Sequence, residues 1–257
     1  MKRLIIANWK MNPATAREAR ELLTRTKRAV PATTNYTVVI CPPVLFLSEL
    51  ASRVDGKQLS LGAQDAFWET EPGPWTGAVS APMLGYAGAR YVLVGHSERR
   101  ALGETNDEVR RKLKASLASG LRAVLCVGER ERDQQGFYLE VLKQQLLTAL
   151  KGAPKTALNQ LILAYEPVWA ISSQHRGADP SRRAEADTPD DFLQQAIFLR
   201  KILSGLFNRE VARQVPVIYG GSADAKNAGG FLLAGQADGL LVGRASLTPE
   251  TFFPALS

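Results

Sequence analysis

Cysteine, histidine and long apolar runs are all scarce in this chain of 257 residues. The two cysteines, Cys41 and Cys126, end separate apolar runs and lack CxxC spacing, so the sequence indicates neither a disulfide framework nor a zinc site. We expect both to be small buried residues in a reducing compartment. The first apolar run stops at Asn8, too early for a signal sequence, and no window is long enough to cross a bilayer. These absences predict a cytoplasmic protein with no membrane partner.

The chain also lacks proline-, glycine- or serine-rich linkers, low-complexity tracts and recognisable repeats. Its composition, 45% hydrophobic and 22% charged, is that of an ordinary globular protein, and we predict a single domain over residues 1–257. Acidic residues are outnumbered, 25 against 32 basic ones, which leaves a net charge of +7. A net positive charge attracts anionic partners, such as phosphorylated metabolites or nucleic acid. A solvated cationic surface with no such partner explains the charge equally well.

Eight short apolar runs alternate with longer stretches of amphipathic helical pattern. Eight such units over about 250 residues predict a (β/α)8 barrel, an α/β fold whose active site is built at the C-terminal ends of the strands. Periodicity alone also allows a doubly wound open sheet, although that fold usually has fewer strands and one phosphate-binding crevice. The runs lie near residues 3–8, 36–41, 59–64, 90–95, 121–127, 160–165, 215–219 and 238–243.

Three helix starts are marked by capping residues. Asn12-Pro13 and Thr188-Pro189 each combine a cap with a first-turn proline, and Thr105 stands three residues before Glu108, as in a capping box. The helix after Thr188 carries an apolar stripe, and Gly205 is predicted to lie beyond its end. The helical segments between the strands are therefore well bounded.

Chemically versatile side chains follow three of the apolar runs. Asn8 and Lys10 come after the first run, two residues apart, and face the same way if the strand pleat continues. His96 follows the fourth run and precedes a polar turn suited to a short helix. Glu166 follows the sixth, where Pro167 restricts it to extended conformations and so determines its side-chain direction. Each residue alone fits a structural role, but their shared position at strand ends favours a catalytic site.

Two further strand ends carry glycine. The segment Tyr219-Gly220-Gly221-Ser222 ends the seventh run, and Gly243 ends the eighth. Glycine lets backbone N–H groups approach a ligand, and a helix that begins after such a turn favours phosphate through its exposed donors and dipole. Glycine pairs are also common in turns that bind nothing, so these two segments allow both interpretations.

Five segments, in this order, resemble those of the triosephosphate isomerase family, and the likeness extends over nearly the whole chain. They are ANWKMN at 7–12, GHSERR at 95–100, LCVGE at 125–129, AYEPVWAI at 164–171 and YGGS at 219–222. The resemblance implies interconversion of dihydroxyacetone phosphate and glyceraldehyde 3-phosphate, in glycolysis and gluconeogenesis, with no metal or organic cofactor. It also implies a homodimer in which the loop around Thr76 reaches into the partner subunit near Lys10.

The resemblance assigns roles to the residues at the strand ends. Glu166 is the implied base and His96 the implied electrophile and proton relay; the family is itself a known example of a neutral imidazole in that role. Lys10 is implied to stabilise the enediolate, and Asn8 to orient the substrate. The other implied residues are the hinge and clamp Pro167, Val168, Trp169, Ile171, Leu241 and Tyr219; the supporting residues Ser97, Glu98, Arg99, Cys126 and Glu129; and the phosphate-binding residues Ser172, Ser173, Ser222, Gly243 and Arg244.

The chain departs from the family pattern at three places. After Ile171 a long insertion at about 172–187 replaces the compact glycine-containing lid, and we expect it to be a solvated excursion. Arg244 replaces a glycine beside the phosphate, where it either points outward or assists phosphate binding. Ala78 replaces a glutamate that pairs with Arg99 of the partner subunit, so the resemblance implies a dimer but leaves its strength open.

Two other functions fit parts of the sequence. The altered lid and Arg244 fit an isomerase of a longer ketose phosphate, such as a tetrulose phosphate. The charge of +7 fits a non-catalytic barrel that binds phosphate or nucleic acid. The complete set of Lys10, His96 and Glu166 argues against the second function, because a binding protein has no need of all three. We therefore expect a phosphorylated triose as partner and no nucleic acid.

Overall fold

The computed structural model describes residues 2–31, 35–133, 135–171 and 187–256. Eight parallel strands pair in sequence order and close into a barrel, with β1 hydrogen-bonded to β8. The predicted (β/α)8 fold is therefore confirmed. The strands are β1 Arg3–Asn8, β2 Tyr36–Cys41, β3 Leu59–Ala63, β4 Tyr91–Val94, β5 Arg122–Val127, β6 Leu161–Tyr165, β7 Val217–Tyr219 and β8 Gly239–Val242.

Helices cover the outside of the barrel between successive strands. Ten α-helices are described: α1 Ala16–Ala29, α2 Leu47–Ala51, α3 Ala81–Tyr86, α4 Ser97–Ala101, α5 Asn106–Ala118, α6 Phe137–Ala149, α7 Pro189–Leu206, α8 Arg209–Gln214, α9 Ala228–Leu233 and α10 Pro249–Phe252. Short 3₁₀-helices lie at Val44–Phe46, Lys155–Gln160, Val168–Ala170, Arg244–Leu247 and Phe253–Leu256. No helix within the described ranges is long and apolar enough to span a membrane.

The barrel interior is filled by alternate strand residues, because successive side chains of a strand point to opposite faces. This inner cluster consists of Leu4, Ile6, Val39, Cys41, Tyr91, Leu93, Val124, Cys126, Ile162, Ala164, Ile218 and Leu241. Asn8 continues the inward row of β1 by two residues, and Glu166 continues that of β6. The pleat that packs the core therefore also aims these two polar side chains at the barrel mouth.

Local capping explains where the helices begin. The predicted capping box of Thr105 with Glu108 is present at α5, and Thr188 caps α7 together with Asp191. The apolar stripe of α7 is buried against the barrel, as predicted, through Phe192, Ala196, Leu199 and Leu203. Both cysteines are buried and free, and burial raises the pKa of each thiol, as expected for small core residues.

Two predicted helix ends were wrong. Asn12 does not cap α1; the helix begins three residues after Pro13, because Thr15 and Glu18 form a reciprocal capping box there. Gly205 does not lie beyond α7 but inside its last turn, since the Phe207 N–H still donates to the Leu203 carbonyl at 3.0 Å.

Candidate active site

Glu166 lies directly after β6 and is almost completely buried, with 2% of its surface exposed. The Ser97 backbone N–H donates to its Oε2 at 2.9 Å, and its Oε1 lies 3.2 Å from His96 Nε2. Its own backbone N–H donates to the Val127 carbonyl, which extends the pairing of β6 with β5 by one residue. The carboxylate is thus held by one backbone donor and one imidazole, at the end of the barrel where the strands terminate.

His96 caps the N-terminus of α4. The Glu98 backbone N–H donates to His96 Nδ1 at 3.1 Å, so Nδ1 is an acceptor and carries no proton. The ring proton then resides on Nε2, which faces Glu166. This arrangement gives a neutral imidazole whose N–H is directed into the site. The N–H that Nδ1 accepts comes from the start of α4, the short helix that the polar turn after His96 predicted.

Lys10 is held in an uncommon backbone conformation beside the other two groups. Its φ of 54° lies in the left-handed region, and two side chains stabilise that turn: Asn8 Oδ1 accepts from the Lys10 N–H at 3.0 Å, and Gln64 Nε2 donates to the Lys10 carbonyl at 2.7 Å. The Lys10 ammonium pairs with Glu98 Oε1 at 2.7 Å. Because Glu98 also supplies the N–H to His96, one residue couples the lysine to the imidazole.

Two glycines allow the backbone to approach the reactive side chains closely. A Cβ on Gly220 would stand 2.8 Å from Glu166 Cγ, and a Cβ on Gly243 would stand 3.0 Å from Lys10 Cε. Any larger residue at either position therefore displaces Glu166 or Lys10. The glycines at the ends of β7 and β8 therefore make room for the Glu166 and Lys10 side chains.

Glu129 holds the residues on both sides of Glu166. Its buried Oε1 accepts from the Tyr165 hydroxyl at 2.7 Å and from Trp169 Nε1 at 2.8 Å, and its carbonyl accepts from the Val168 N–H at 3.0 Å. Burial, followed by the nearby Glu129 charge, raises the pKa of Tyr165, so the phenol stays a donor. The segment that carries Glu166 is therefore held to the loop after β5.

The remaining predicted residues fall into three groups. Arg99 pairs with Asp65 of its own chain at 3.1 Å, and the Ser222 hydroxyl donates to the Ala170 carbonyl at 2.9 Å. Ile171, Leu241, Cys126 and Tyr219 are buried, whereas Arg244 and Thr76 are exposed. The predicted residues Ser172 and Ser173, with nearly all of the insertion at 172–187, lie outside the described residues.

Two residues of the site were not predicted. Gln64 donates to the carbonyls of Lys10 and Cys41 and so fixes the turn after β1 from the end of β3. Arg132, in the loop after β5, contacts Glu129 and stacks on Trp169. The only sequence signal for Gln64 was its position directly after a buried strand, and Arg132 stands in a charged run that reads as solvated surface.

A cavity of about 650 Å³ opens onto Asn8, Lys10 and His96, and it extends to Val44 and Leu102 at its rim. Its size suits a small ligand. Within the described part of the chain, no group of three histidine, cysteine or acidic side chains is placed to hold a metal ion. The structure brings together the Glu166 carboxylate, the neutral His96 imidazole and the Lys10 ammonium, which is linked to His96 through Glu98.

A carboxylate, a neutral imidazole and an ammonium brought together at the mouth of a (β/α)8 barrel fit an enzyme of the class that moves protons beside a carbonyl group. Comparisons with known proteins specify the family. The family model described as Triosephosphate isomerase matches residues 3–256. The chain belongs to the triosephosphate isomerase family, as the sequence resemblance implied.

Curated relatives with the same description cover nearly the whole chain. The triosephosphate isomerases of Dictyoglomus turgidum and Aquifex aeolicus are each 37% identical to it over 254 residues, which is 98% of this chain and 97% of the relative. That of Moorella thermoacetica is 39% identical over 255 residues, with the same coverage.

Proposed function

We propose that this chain interconverts dihydroxyacetone phosphate and D-glyceraldehyde 3-phosphate, with Glu166 as the base. The observation that carries the proposal is the position of the Glu166 carboxylate, in contact with a neutral His96 whose N–H points into the site. A carbon acid beside a carbonyl is weak, so its ionisation needs both a base at the carbon and a donor at the oxygen. Glu166 and His96 supply the two groups.

The proposed reaction moves two protons and leaves the enzyme unchanged. Glu166 removes a proton from the hydroxymethyl carbon, the C–H electron pair forms a carbon–carbon double bond, and the carbonyl oxygen becomes an enediolate oxygen. His96 Nε2–H donates to that oxygen, and Lys10 stabilises the negative charge. Glu166 then returns its proton to the adjacent carbon, and the hydroxyl proton of the first carbon passes back through His96, which yields the aldehyde.

The phosphate is proposed to lie at the ends of β7 and β8. Support comes from Gly243, where the backbone runs beside the Lys10 side chain, and from the glycine turn after β7, because backbone N–H groups in such turns suit an anion. Arg244 is exposed at the start of the 3₁₀-helix after β8 and supplies positive charge at that end. Ser172 and Ser173 remain proposed donors from the lid.

A coupled assay in D₂O tests the proposed reaction. We expect turnover of dihydroxyacetone phosphate, with deuterium on carbon 2 of the glyceraldehyde 3-phosphate because the carboxyl proton exchanges with solvent. A tetrulose phosphate in the same assay should give much lower kcat/KM. Preference for the four-carbon substrate would replace the triose with the longer ketose phosphate, and turnover without deuterium would contradict proton transfer through a carboxyl group that exchanges with solvent.

The protein is also proposed to be a homodimer. Large apolar side chains are exposed in the segments that follow four consecutive strands: Met11, Val44, Leu45, Trp75 and Leu102. Exposed apolar clusters of this kind mark interaction surfaces. The same end of the barrel carries Thr76, predicted for the dimer loop, and the rim of the cavity that contains Lys10. A second copy covering this surface would also cover the site entrance.

Leu102→Glu is expected to dissociate the dimer, because it places a charge on that apolar surface. Sedimentation equilibrium should give about twice the chain mass of 28.0 kDa for the wild type and the single mass for the variant. Leu233→Glu is the matched control, since Leu233 is comparably exposed but lies on α9. A monomeric wild type, or a Leu102→Glu protein that remains dimeric, would contradict the assigned surface.

We place the protein in the cytoplasm. Two buried, unpaired thiols suit a reducing compartment, and the small phosphorylated substrates of the proposed reaction are cytoplasmic metabolites.

A further inference from the structure

Four buried polar atoms without a hydrogen-bond partner lie together in one cluster, one layer outside the catalytic carboxylate. They are Arg132 Nε, Glu129 Oε2 and both carboxylate oxygens of Asp187, none of which has a partner of normal geometry in the part of the chain described. The Asp187 side chain has no exposed surface. Buried polar atoms are nearly always paired, so four such atoms at one place call for a functional explanation.

The Arg132 guanidinium stands at the centre of this cluster. It donates to Asp191 Oδ1 at 2.9 Å and to the Tyr165 hydroxyl at 3.3 Å. By contrast, its Nε lies 3.4 Å from Glu129 Oε1 and its Nη2 lies 3.7 Å from Asp187 Oδ1, both ion-pair distances without a formed hydrogen bond. Arg132 is therefore shared between carboxylates, two of which it only partly satisfies.

This sharing bears on the catalytic base through Glu129. Glu129 Oε1 holds Tyr165 and Trp169, which flank Glu166 on either side. Arg132 also stabilises this segment directly, because its guanidinium stacks on Trp169, 4.8 Å from the centre of the ring. A shift of the guanidinium would reach Glu166 through these two neighbours.

The charges around Asp187 make the arrangement sensitive to one proton. Asp187, Glu129 and Asp191 place three carboxylates around a single guanidinium. Burial raises the pKa of Asp187 to about 7; Asp191 and Glu129 add to this, while Arg132 and the Thr188 N–H oppose it. The two phenols nearby do not titrate in this range, because burial raises the pKa of both Tyr165 and Tyr219.

We propose that Arg132 and Asp187 are positioning residues for Glu166, and that the hold of Arg132 on Glu129 depends on whether Asp187 carries a proton. When Asp187 is protonated, the Arg132 guanidinium pairs with Glu129 and Asp191. When Asp187 ionises, it competes for the guanidinium, and the support of Tyr165 and Trp169 weakens. The proposal rests on the isomerase activity proposed above for its kinetic test.

The kinetic test compares kcat across neutral pH for the wild type, Asp187→Asn and the control Asp190→Asn. Asp190 stands three residues further along, in the first turn of α7, and is exposed. In the wild type, kcat should fall as pH rises through about 7, by about tenfold, the scale of coupling within one hydrogen-bond network. Asp187→Asn should remove this fall with little change in KM, and Asp190→Asn should retain it. A wild-type profile that is flat, or that Asp187→Asn leaves unchanged, would overturn the proposal.

Stability provides a measurement that does not need the activity. Because the pKa of Asp187 is raised in the folded state, its stabilising contribution is complete below the unfolded value near 3.8 and is lost as pH rises to about 7. Asp187→Asn should therefore gain stability relative to the wild type between about pH 5 and 7, and the difference should then level off. Parallel curves would contradict the titration of Asp187 even if the protein were inactive on the triose phosphates.

A second variant covers the case in which Asp187→Asn does not fold. Arg132→Lys keeps the positive charge but loses the planar fork and the stacking on Trp169. We expect it to lower kcat with little effect on KM, because Arg132 acts on the base and not on the substrate. An unchanged kcat would remove Arg132 from the positioning role.

Discussion

Glu166→Gln is expected to lower kcat by about 10⁴-fold, the upper end of what one general base contributes. Glutamine has the same shape and still accepts the Ser97 N–H, so the fold and KM should change little. What it lacks is basicity, because a neutral amide is far too weak a base to take a proton from carbon. The measurement is steady-state kinetics in both directions, since loss of a shared base lowers both rates by the same factor.

Glu166→Asp refines the same prediction by moving the base instead of removing it. Aspartate is shorter by one methylene, and a displacement of about 1 Å costs about 10²-fold in rate. The backbone at this position cannot follow the shorter side chain, because the Glu166 N–H donates to the Val127 carbonyl and Gly220 lies against its Cγ. Glu131→Gln, at an exposed residue after β5, is the control and should leave kcat intact. Near-normal turnover in both Glu166 variants would show that another group is the base.

The barrel and the position of Glu166 could be predicted from the sequence because both depend on local patterns. Short apolar runs identified all eight strands, and the alternation of side-chain direction along β6 carries Glu166 to the barrel mouth after Ile162 and Ala164. The strand limits were less accurate where backbone chemistry intervened. The seventh strand begins two residues later than predicted, since Val215 still closes α8 through its N–H and Pro216 has no N–H to donate.

The supporting groups could not be predicted, because they meet only after the barrel closes. Asp187 and Arg132 are far apart in the sequence, and each resembles an ordinary surface charge until the structure brings them within 3.7 Å. Gln64 likewise has no motif; its amide is placed beside the Lys10 carbonyl by the neighbouring positions of β1, β2 and β3. The alternation of strands and helices in the sequence predicts that residues at the C-terminal ends of the strands meet at one end of the barrel. Pairings between loops, by contrast, depend on three-dimensional packing.

His96→Gln is expected to lower kcat by about 10²- to 10³-fold, a smaller loss than removal of the base. Glutamine keeps an N–H that can point at the substrate oxygen, and its carbonyl can accept the Glu98 N–H that now reaches Nδ1. It cannot release and recover a proton, so the transfer between the two oxygens must find another path. The expected loss is therefore in kcat, measured with either triose phosphate, with KM changed much less.

His96→Ala separates the two roles of the imidazole. Alanine removes the donor as well as the proton relay, so it should be slower than His96→Gln by the value of one donor to a developing oxyanion, about 10²-fold. Alanine also leaves the first N–H groups of α4 without the His96 cap. This change affects the free energy of unfolding and the hydrogen bond from the Ser97 N–H to Glu166. Unfolding measured beside the kinetics distinguishes these effects, because a lost cap lowers stability in the Ala variant, whereas a lost relay lowers only turnover. Equal rates for the two variants would mean that hydrogen bonding by His96 contributes nothing and that its whole effect is proton transfer.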